Sequence, residues 1–259
     1  MSHFSLAVIS KDEDDIDKIL EPFYEGLEME PYVSKTKRQL VKDARDYYNM
    51  IYKERFSKKE EVPESDKEEL DNLKKLMNMT DSELYEHERA QFDDEDFDRD
   101  GNLLSTYNPK SKYDWYEIGG RWSGLLELKE KDNYGKPIKV NQALIKDINL
   151  EPSEEEYNQA LKFWEDYVEG KDPGSVGLIL YKPEYYKSKY KTKEDYARAM
   201  ACFKTLAIVT PDGEWHEKGE MLWFGILNNE EDEWDVRYKE RFLDNIDENL
   251  MLTIVDCHI

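Results

Sequence analysis

The sequence predicts an α/β protein with a single mixed β-sheet that contains both terminal strands and carries helices on its faces; an α+β arrangement is the alternative. Three observations predict this fold. Apolar, β-branched segments open and close the chain, at 3–9 and 250–259, and helix patterns alternate with strand patterns between them. Hydrophobic residues make up 39% of the 259 residues, which is enough for a packed core. Because apolar termini are seldom left unpaired, we expect the first and last strands to lie side by side.

The elements follow from periodicity and capping residues. Helix patterns cover about 14–22, 34–56, 65–77, 80–92, 153–170, 192–201 and 230–246. Strand patterns cover 3–9, 113–118, 122–128, 175–181, 204–210, 221–226 and 250–259. Ser34 or Thr36 can cap the long second helix, and Thr80 with Glu83 forms a capping box. No linker divides the chain, so we expect one domain over 1–259 with a charged helical insertion at about 34–92.

The chain is strongly acidic. It has 37 Lys plus Arg and 60 Asp plus Glu, so 37 − 60 gives −23. Binding to a nucleic-acid backbone needs a basic face and is therefore not expected. Residues 81–100 hold ten acids and two bases, a net of −8, and residues 230–248 hold nine acids and three bases, a net of −6. These stretches are either solvated helix faces or the surface of a nucleic-acid mimic that occupies a basic groove on a host enzyme.

Hydropathy and cysteine content indicate a cytoplasmic protein. The mean hydropathy is −0.92 and no apolar run approaches 18 residues, so no membrane partner is expected. The opening residues lack the basic region and cleavage site of a signal peptide. Cys202 and Cys257 do not make a disulfide framework, which fits a reducing compartment.

A possible calcium loop lies at 96–101. Asp96, Asp98 and Asp100 place carboxylates at alternate positions, and Gly101 permits a sharp turn. The twelfth position is Tyr107, where a calcium-binding EF-hand loop carries a bidentate glutamate. The sequence therefore leaves two interpretations, a Ca²⁺ site or an acidic hairpin built on an Asx turn.

The segment 114–124 is the most unusual stretch of the chain. Gly119 and Gly120 allow a close backbone approach and can present N–H groups to an anion. Arg121 adds a planar fork suited to phosphate, and Trp115 and Trp122 can stack a ring. These five residues are the predicted binding site for a nucleotide-like anion. The alternative is a β-bulge with core tryptophans and an arginine bonded to a neighbouring carboxylate.

The terminal strands carry a second candidate site. His3 lies in the first strand, while Asp256 and His258 share one face of the last strand by two-residue alternation. If the strands pair, these three side chains can meet and act as general acid and base or bind a metal. Histidines satisfied at strand ends are the alternative. Cys257 should point to the opposite face, which argues against a Cys–His nucleophile pair.

Three segments carry a family resemblance: Met1–Phe4, the block from Asn108 to Gly124, and Val255–His258. The chain resembles a family of uncharacterised proteins found in bacteriophages, prophages and some bacterial genomes. The resemblance implies an accessory phage protein, of the kind that blunts host defence, acting in the host cytoplasm. It implies no particular chemistry.

Two classes of function follow. The first is a counter-defence protein that binds a nucleotide-like ligand or a host protein, with a phosphoester-directed enzyme as a variant of the ligand hypothesis. The second is an acidic inhibitor that mimics nucleic acid. The site residues for the first are the glycine pair with its flanking side chains, and His3, Asp256 and His258.

Overall fold

The computed structural model describes residues 2–11, 16–57, 62–175, 179, 181–221 and 227–259. The fold is mixed α/β, and both terminal strands lie in one mixed sheet, as predicted. The chain divides into two compact units, Met1–Glu25 with Lys110–Ile259, and Gly26–Pro109. That the whole chain is one domain with an insertion at 34–92 stays a prediction.

Four of the described helices begin after predicted capping residues, which are Thr36, Thr80, Ser153 and Thr192. The helices are α1 (Ile16–Leu20), α2 (Lys37–Arg55), α3 (Glu64–Met77), α4 (Asp81–Arg89), α5 (Glu154–Phe163), α6 (Pro183–Lys189), α7 (Lys193–Ala201) and α8 (Trp234–Phe242). Thr36 rather than Ser34 caps α2, and both Thr36 and Thr80 form full capping boxes. Each box supplies partners for amides that the first helical turn leaves without acceptors.

The strands are short, apart from the two at the termini. They are β1 (His3–Ser10), β2 (Tyr32–Lys35), β3 (Leu103–Ser105), β4 (Trp115–Ile118), β5 (Leu126–Lys131), β6 (Pro137–Val140), β7 (Gln142–Leu144), β8 (Ala207–Val209), β9 (Trp215–Glu217), β10 (Glu220–Met221), β11 (Leu227–Asn228) and β12 (Met251–His258).

The main sheet, in the first unit, has the order β4-β12-β1-β8-β9. β1 pairs with β12 in antiparallel orientation over its full length and with β8 in parallel, so the sheet is mixed. β12 is long enough to pair twice along its other edge, with β7 near its start and β4 near its end. This double pairing brings the segment 114–118 against the last residues of the chain.

The two faces of the sheet pack against different helices. On one face, Ala7, Ile9 and Ile254 pack against aromatic side chains of α8. On the other, Leu6 and Val255 pack against α1. Both faces of β1 and β12 are therefore buried, which explains their nearly continuous apolar sequence.

The second unit has its own core. Side chains of α2 and α4 pack with Phe97, which precedes β3. A ribbon of β2 and β3 completes this unit. Its acidic residues lie mainly at exposed positions, while Leu84 and Tyr85 are buried.

Several predicted boundaries were wrong. The strand predicted from Trp122 is a 3₁₀ turn (Gly120–Trp122), because Gly119 and Gly120 have positive φ angles and end the extended backbone; β5 begins only at Leu126. The helix predicted over 230–246 is the shorter α8. Much of the strands predicted at 175–181 and 221–226 lies outside the described residues. Among the helices that the structure describes, none is long and apolar enough to cross a membrane.

Candidate active site at the paired chain termini

Strand register brings the two terminal histidines together. Ser2 and Ile259 exchange two backbone hydrogen bonds of 3.1 Å, and His3 lies directly opposite His258 in the next pair. This pair is not itself hydrogen-bonded through its backbone. In an antiparallel ladder, such non-hydrogen-bonded pairs hold their side chains closest together. The two imidazole centroids are accordingly 5.0 Å apart.

Each histidine bonds a carboxylate through the same ring nitrogen. Nδ1 of His3 donates to Oδ1 of Asp256 at 2.9 Å, and Nδ1 of His258 donates to Oδ1 of Asp114 at 2.6 Å. An ionised carboxylate only accepts, so each Nδ1 carries a proton. Nε2 is then the nitrogen with a lone pair in each neutral ring, and it is the atom available for proton transfer.

Nε2 of His258 is buried and has no hydrogen-bond partner among the described residues. His258 is 5% exposed, and the side chain of Asp256 is 3% exposed. A buried polar atom without a partner costs about 1–3 kcal/mol of stability. His3 and His258 are therefore not simply strand-end histidines whose hydrogen bonds are all satisfied.

Trp115 lies over this pair. It is opposite His258 on β4, and its indole stacks on the imidazole with 5.2 Å between ring centroids and 17° between planes. The same indole makes an edge contact with His3 at 5.5 Å. Trp115 is nevertheless 44% exposed, so part of the indole is at the surface.

The glycine pair shapes a loop against Asp256. A Cβ on Gly120, whose φ is +47°, would lie 2.4 Å from Cβ of Asp256. The close approach lets the N–H of Arg121 donate to Oδ2 of Asp256 at 3.0 Å. The anion at this amide is thus the protein's own carboxylate, which is fixed in place for His3. That the loop also binds a ligand stays a prediction.

Gly119 approaches a second polar side chain. Its N–H donates to the carbonyl of Ile254 at 2.8 Å, and a Cβ there would lie 2.2 Å from Nδ2 of Asn141. Asn141 in turn accepts from the N–H of Gly124 through Oδ1 at 2.7 Å. Asn141 therefore bonds the end of the glycine loop at Gly124 and packs against its start at Gly119.

The side chains of the other two predicted binding residues, Arg121 and Trp122, lie in different surroundings. Arg121 is exposed, and no residue that the structure describes bonds or ion-pairs with its guanidinium. Trp122 is half-buried and packs against the core beneath the sheet. The structure thus brings Trp115, Gly120 and the backbone of Arg121 to His3, Asp256 and His258, but directs Trp122 into the core.

Sequence reasoning missed two residues of this cluster, Asp114 and Asn141. Asp114 precedes β4 by one position, and only the pairing of β4 with β12 places it beside His258. The available signal was an acidic residue directly before a tryptophan at the start of a predicted strand. Asn141 gave no signal of its own.

Cys257 is on the opposite face, as alternation predicts. It is fully buried among apolar side chains, and burial raises the pKa of its thiol well above the ordinary range. It is therefore not a nucleophile for the histidine pair.

The predicted calcium loop is an Asx-turn hairpin in the second unit. Oδ1 of Asp98 accepts from the N–H groups of Asp100 and Asn102, at 2.9 and 2.8 Å, and these bonds lower the pKa of Asp98. The carboxylate of Asp96 accepts from the N–H of Asp93. Within the described ranges no group of three or more His, Cys, Asp or Glu side chains is placed to hold a metal. Ca²⁺ binding here stays a prediction.

The acidic stretch 230–248 is extensively ion-paired. Glu231, which precedes α8, forms an ion pair with Arg241 of α8, and Glu230 forms an ion pair with Lys189 of α6. Glu233 bonds both Arg237 and Lys191. These cations neutralise part of the stretch, and that the acidic stretches mimic nucleic acid stays a prediction.

A scan against family models, a search of curated proteins and a search of solved structures found no match to this chain.

Proposed function

We propose that the chain is a phosphoester-directed enzyme that acts on a nucleotide-like ligand by general acid–base catalysis. The observation that carries this proposal is the pair of imidazoles, 5.0 Å apart, each with Nδ1 on a carboxylate. A carboxylate on Nδ1 fixes the ring orientation and stabilises the imidazolium form, as general acid–base histidines require.

The proposed reaction uses both Nε2 atoms. Nε2 of one histidine accepts the proton of the attacking hydroxyl group or water, whose oxygen forms a new bond to phosphorus. Nε2–H of the other, protonated histidine donates a proton to the leaving oxygen as its bond to phosphorus breaks. One P–O bond forms and one breaks, and the two proton transfers compensate each other.

Two side chains favour a nucleotide-like substrate. Trp115 offers an exposed indole that can stack a base, and since it covers His258, a ligand that reaches this imidazole must contact or displace it. Arg121 extends from the loop that bonds Asp256 and offers a guanidinium suited to a phosphate.

The phage resemblance suggests a biological setting for this chemistry. An accessory phage protein that removes a nucleotide-like molecule would fit a counter-defence role. This part of the proposal depends on the resemblance of the terminal and central segments alone.

The catalytic proposal is tested by replacing each histidine with glutamine. Against a panel of mononucleotides, cyclic nucleotides and dinucleotides, we expect wild-type turnover of at least one compound. His3→Gln and His258→Gln should each lower kcat by about 10²- to 10⁴-fold, because each removes one proton transfer. His87→Gln is the matched control, since His87 is exposed on α4 in the other unit.

Chromatography of the reaction products provides the measurement, with circular dichroism to confirm folding. If no compound of the panel binds or reacts, the proposal is wrong. It is also wrong if folded His3→Gln and His258→Gln retain the activity of His87→Gln.

The binding role of Arg121 has a separate test. Arg121→Ala should abolish the thermal stabilisation that a bound nucleotide gives, while the melting temperature of the free protein stays the same. We expect this because the guanidinium has no partner among the described residues. Unfolding of the variant would instead indicate a structural arginine, and an undiminished nucleotide shift would remove Arg121 from the site.

A further inference from the structure

A second candidate site lies in a groove of about 420 Å³ in the first unit. The start of β5, the approach to α5 and the segment after α7 line it. This volume is within the range of pockets that take small molecules. Leu126 and Phe203 give the groove apolar walls, and Lys204 contributes an amine.

Lys204 differs from the neighbouring lysine. Its Nζ has one hydrogen bond, at 3.4 Å to the carbonyl of Cys202, and no carboxylate of a described residue lies within ion-pair distance. Lys218, by contrast, bonds Asp235 at 2.7 Å. A lysine that is largely buried without an acidic partner is driven toward its neutral form.

The charges around Lys204 act in both directions. Asp235 of α8 and Glu156 of α5 favour the charged amine, whereas Lys218 disfavours it. Burial is the largest effect, and the pKa of Lys204 lies below its ordinary value. The unprotonated form of a lysine amine is a nucleophile, and burial in the wall of the groove favours this form of Lys204.

The other charges of the groove restrict the ligand. Glu127 is paired with Lys139 at 3.4 Å, and Glu151 with Lys239 at 3.2 Å, while Glu156 lacks an ion-pair partner among the described residues. With Glu127 and Glu151 paired, Glu156 leaves one carboxylate at the rim that is unpaired within the described ranges, which disfavours an anionic ligand.

We propose that Lys204 is a nucleophilic lysine and that this groove takes a small uncharged aldehyde or ketone, which Lys204 binds covalently as an imine. The Nζ lone pair attacks the carbonyl carbon, and the C=O π electrons move to oxygen. Proton transfer from nitrogen to oxygen gives a carbinolamine. Loss of water then leaves a C=N bond to Lys204, so that one aldehyde and one amine yield one imine and one water.

Reductive trapping on the wild-type protein tests this proposal. The protein is incubated at neutral pH with butanal and cyanoborohydride, and peptide mass spectrometry follows the modification of each lysine with time. We expect Lys204 to react several-fold faster than Lys187, although Lys187 is exposed on α6. We expect glyoxylate, an anionic aldehyde, to lose this preference for Lys204.

Two outcomes overturn the proposal: modification of Lys204 at or below the rate of Lys187, or an equal preference for Lys204 with glyoxylate. Lys204→Arg removes the amine but keeps a long basic side chain, and it should remove only the fast-reacting peptide. Because wild-type protein supplies the main measurement, misfolding of a variant does not affect the result. The histidine-dependent turnover is a separate readout, so the two proposals can fail independently.

Discussion

The two ends of the β1–β12 strand pair share one face of the sheet and differ in chemistry. At one end Ala7 lies opposite Ile254, and both are fully buried in the apolar core. At the other end His3 lies opposite His258, and two carboxylates and an indole surround them. On this face the apolar end has only apolar side chains, whereas the polar end keeps a buried nitrogen without a partner among the described residues. We therefore expect the apolar end to stabilise the fold, and we propose that the polar end serves the chemistry.

The largest expected effect on stability is at the apolar end. Ile254→Ala should lower the free energy of unfolding by about 2–5 kcal/mol, because it leaves a cavity in the core. The kcat of the molecules that stay folded should not change. Urea denaturation and an active-site titration check these values. A variant with wild-type stability would show that the apolar end does not stabilise the fold. A folded variant that has lost its activity would show that this end also contributes to the chemistry.

An effect on stability no larger than this is expected at the glycine loop, which links the two ends. Gly120→Ala places a methyl group against Asp256 at a positive φ, and Gly135→Ala, at φ +76° with nothing within 4 Å of its Cβ, is the matched control. The backbone strain alone should cost each variant about 1–2 kcal/mol. Gly120→Ala should cost about 1–3 kcal/mol more and lower kcat, since the methyl group displaces the carboxylate that bonds His3. Equal denaturation midpoints for the two variants would mean that the loop does not hold Asp256 in place.

Much of this arrangement could be predicted from local sequence. The apolar termini predicted two strands in one sheet, and alternation placed Asp256 and His258 on one face and Cys257 on the other. Asp114 could not be predicted in its role, because its contact with His258 depends on the pairing of strands far apart in the chain. Alternation defines the face of a strand, but register defines the neighbours across it.

The glycine loop shows a second limit. Two glycines before an arginine predict a backbone that approaches an anion, and the N–H of Arg121 does bond a carboxylate. Sequence does not distinguish a bound ligand from Asp256, because both present the same oxygen atoms to the amide. The Asx turn at Asp98 is similar, since its carboxylate accepts from backbone amides of the same loop.

We propose that His258 serves chemistry at a cost in stability, and urea denaturation of His258→Leu measures that cost. Leucine has no polar atom to satisfy, and Asp114 is 38% exposed and so can be hydrated when its partner is removed. We predict a free energy of unfolding that is unchanged or raised by up to about 1–3 kcal/mol, with no detectable turnover. A marked loss of stability in His258→Leu would contradict the account and make the histidine pair part of the structural core.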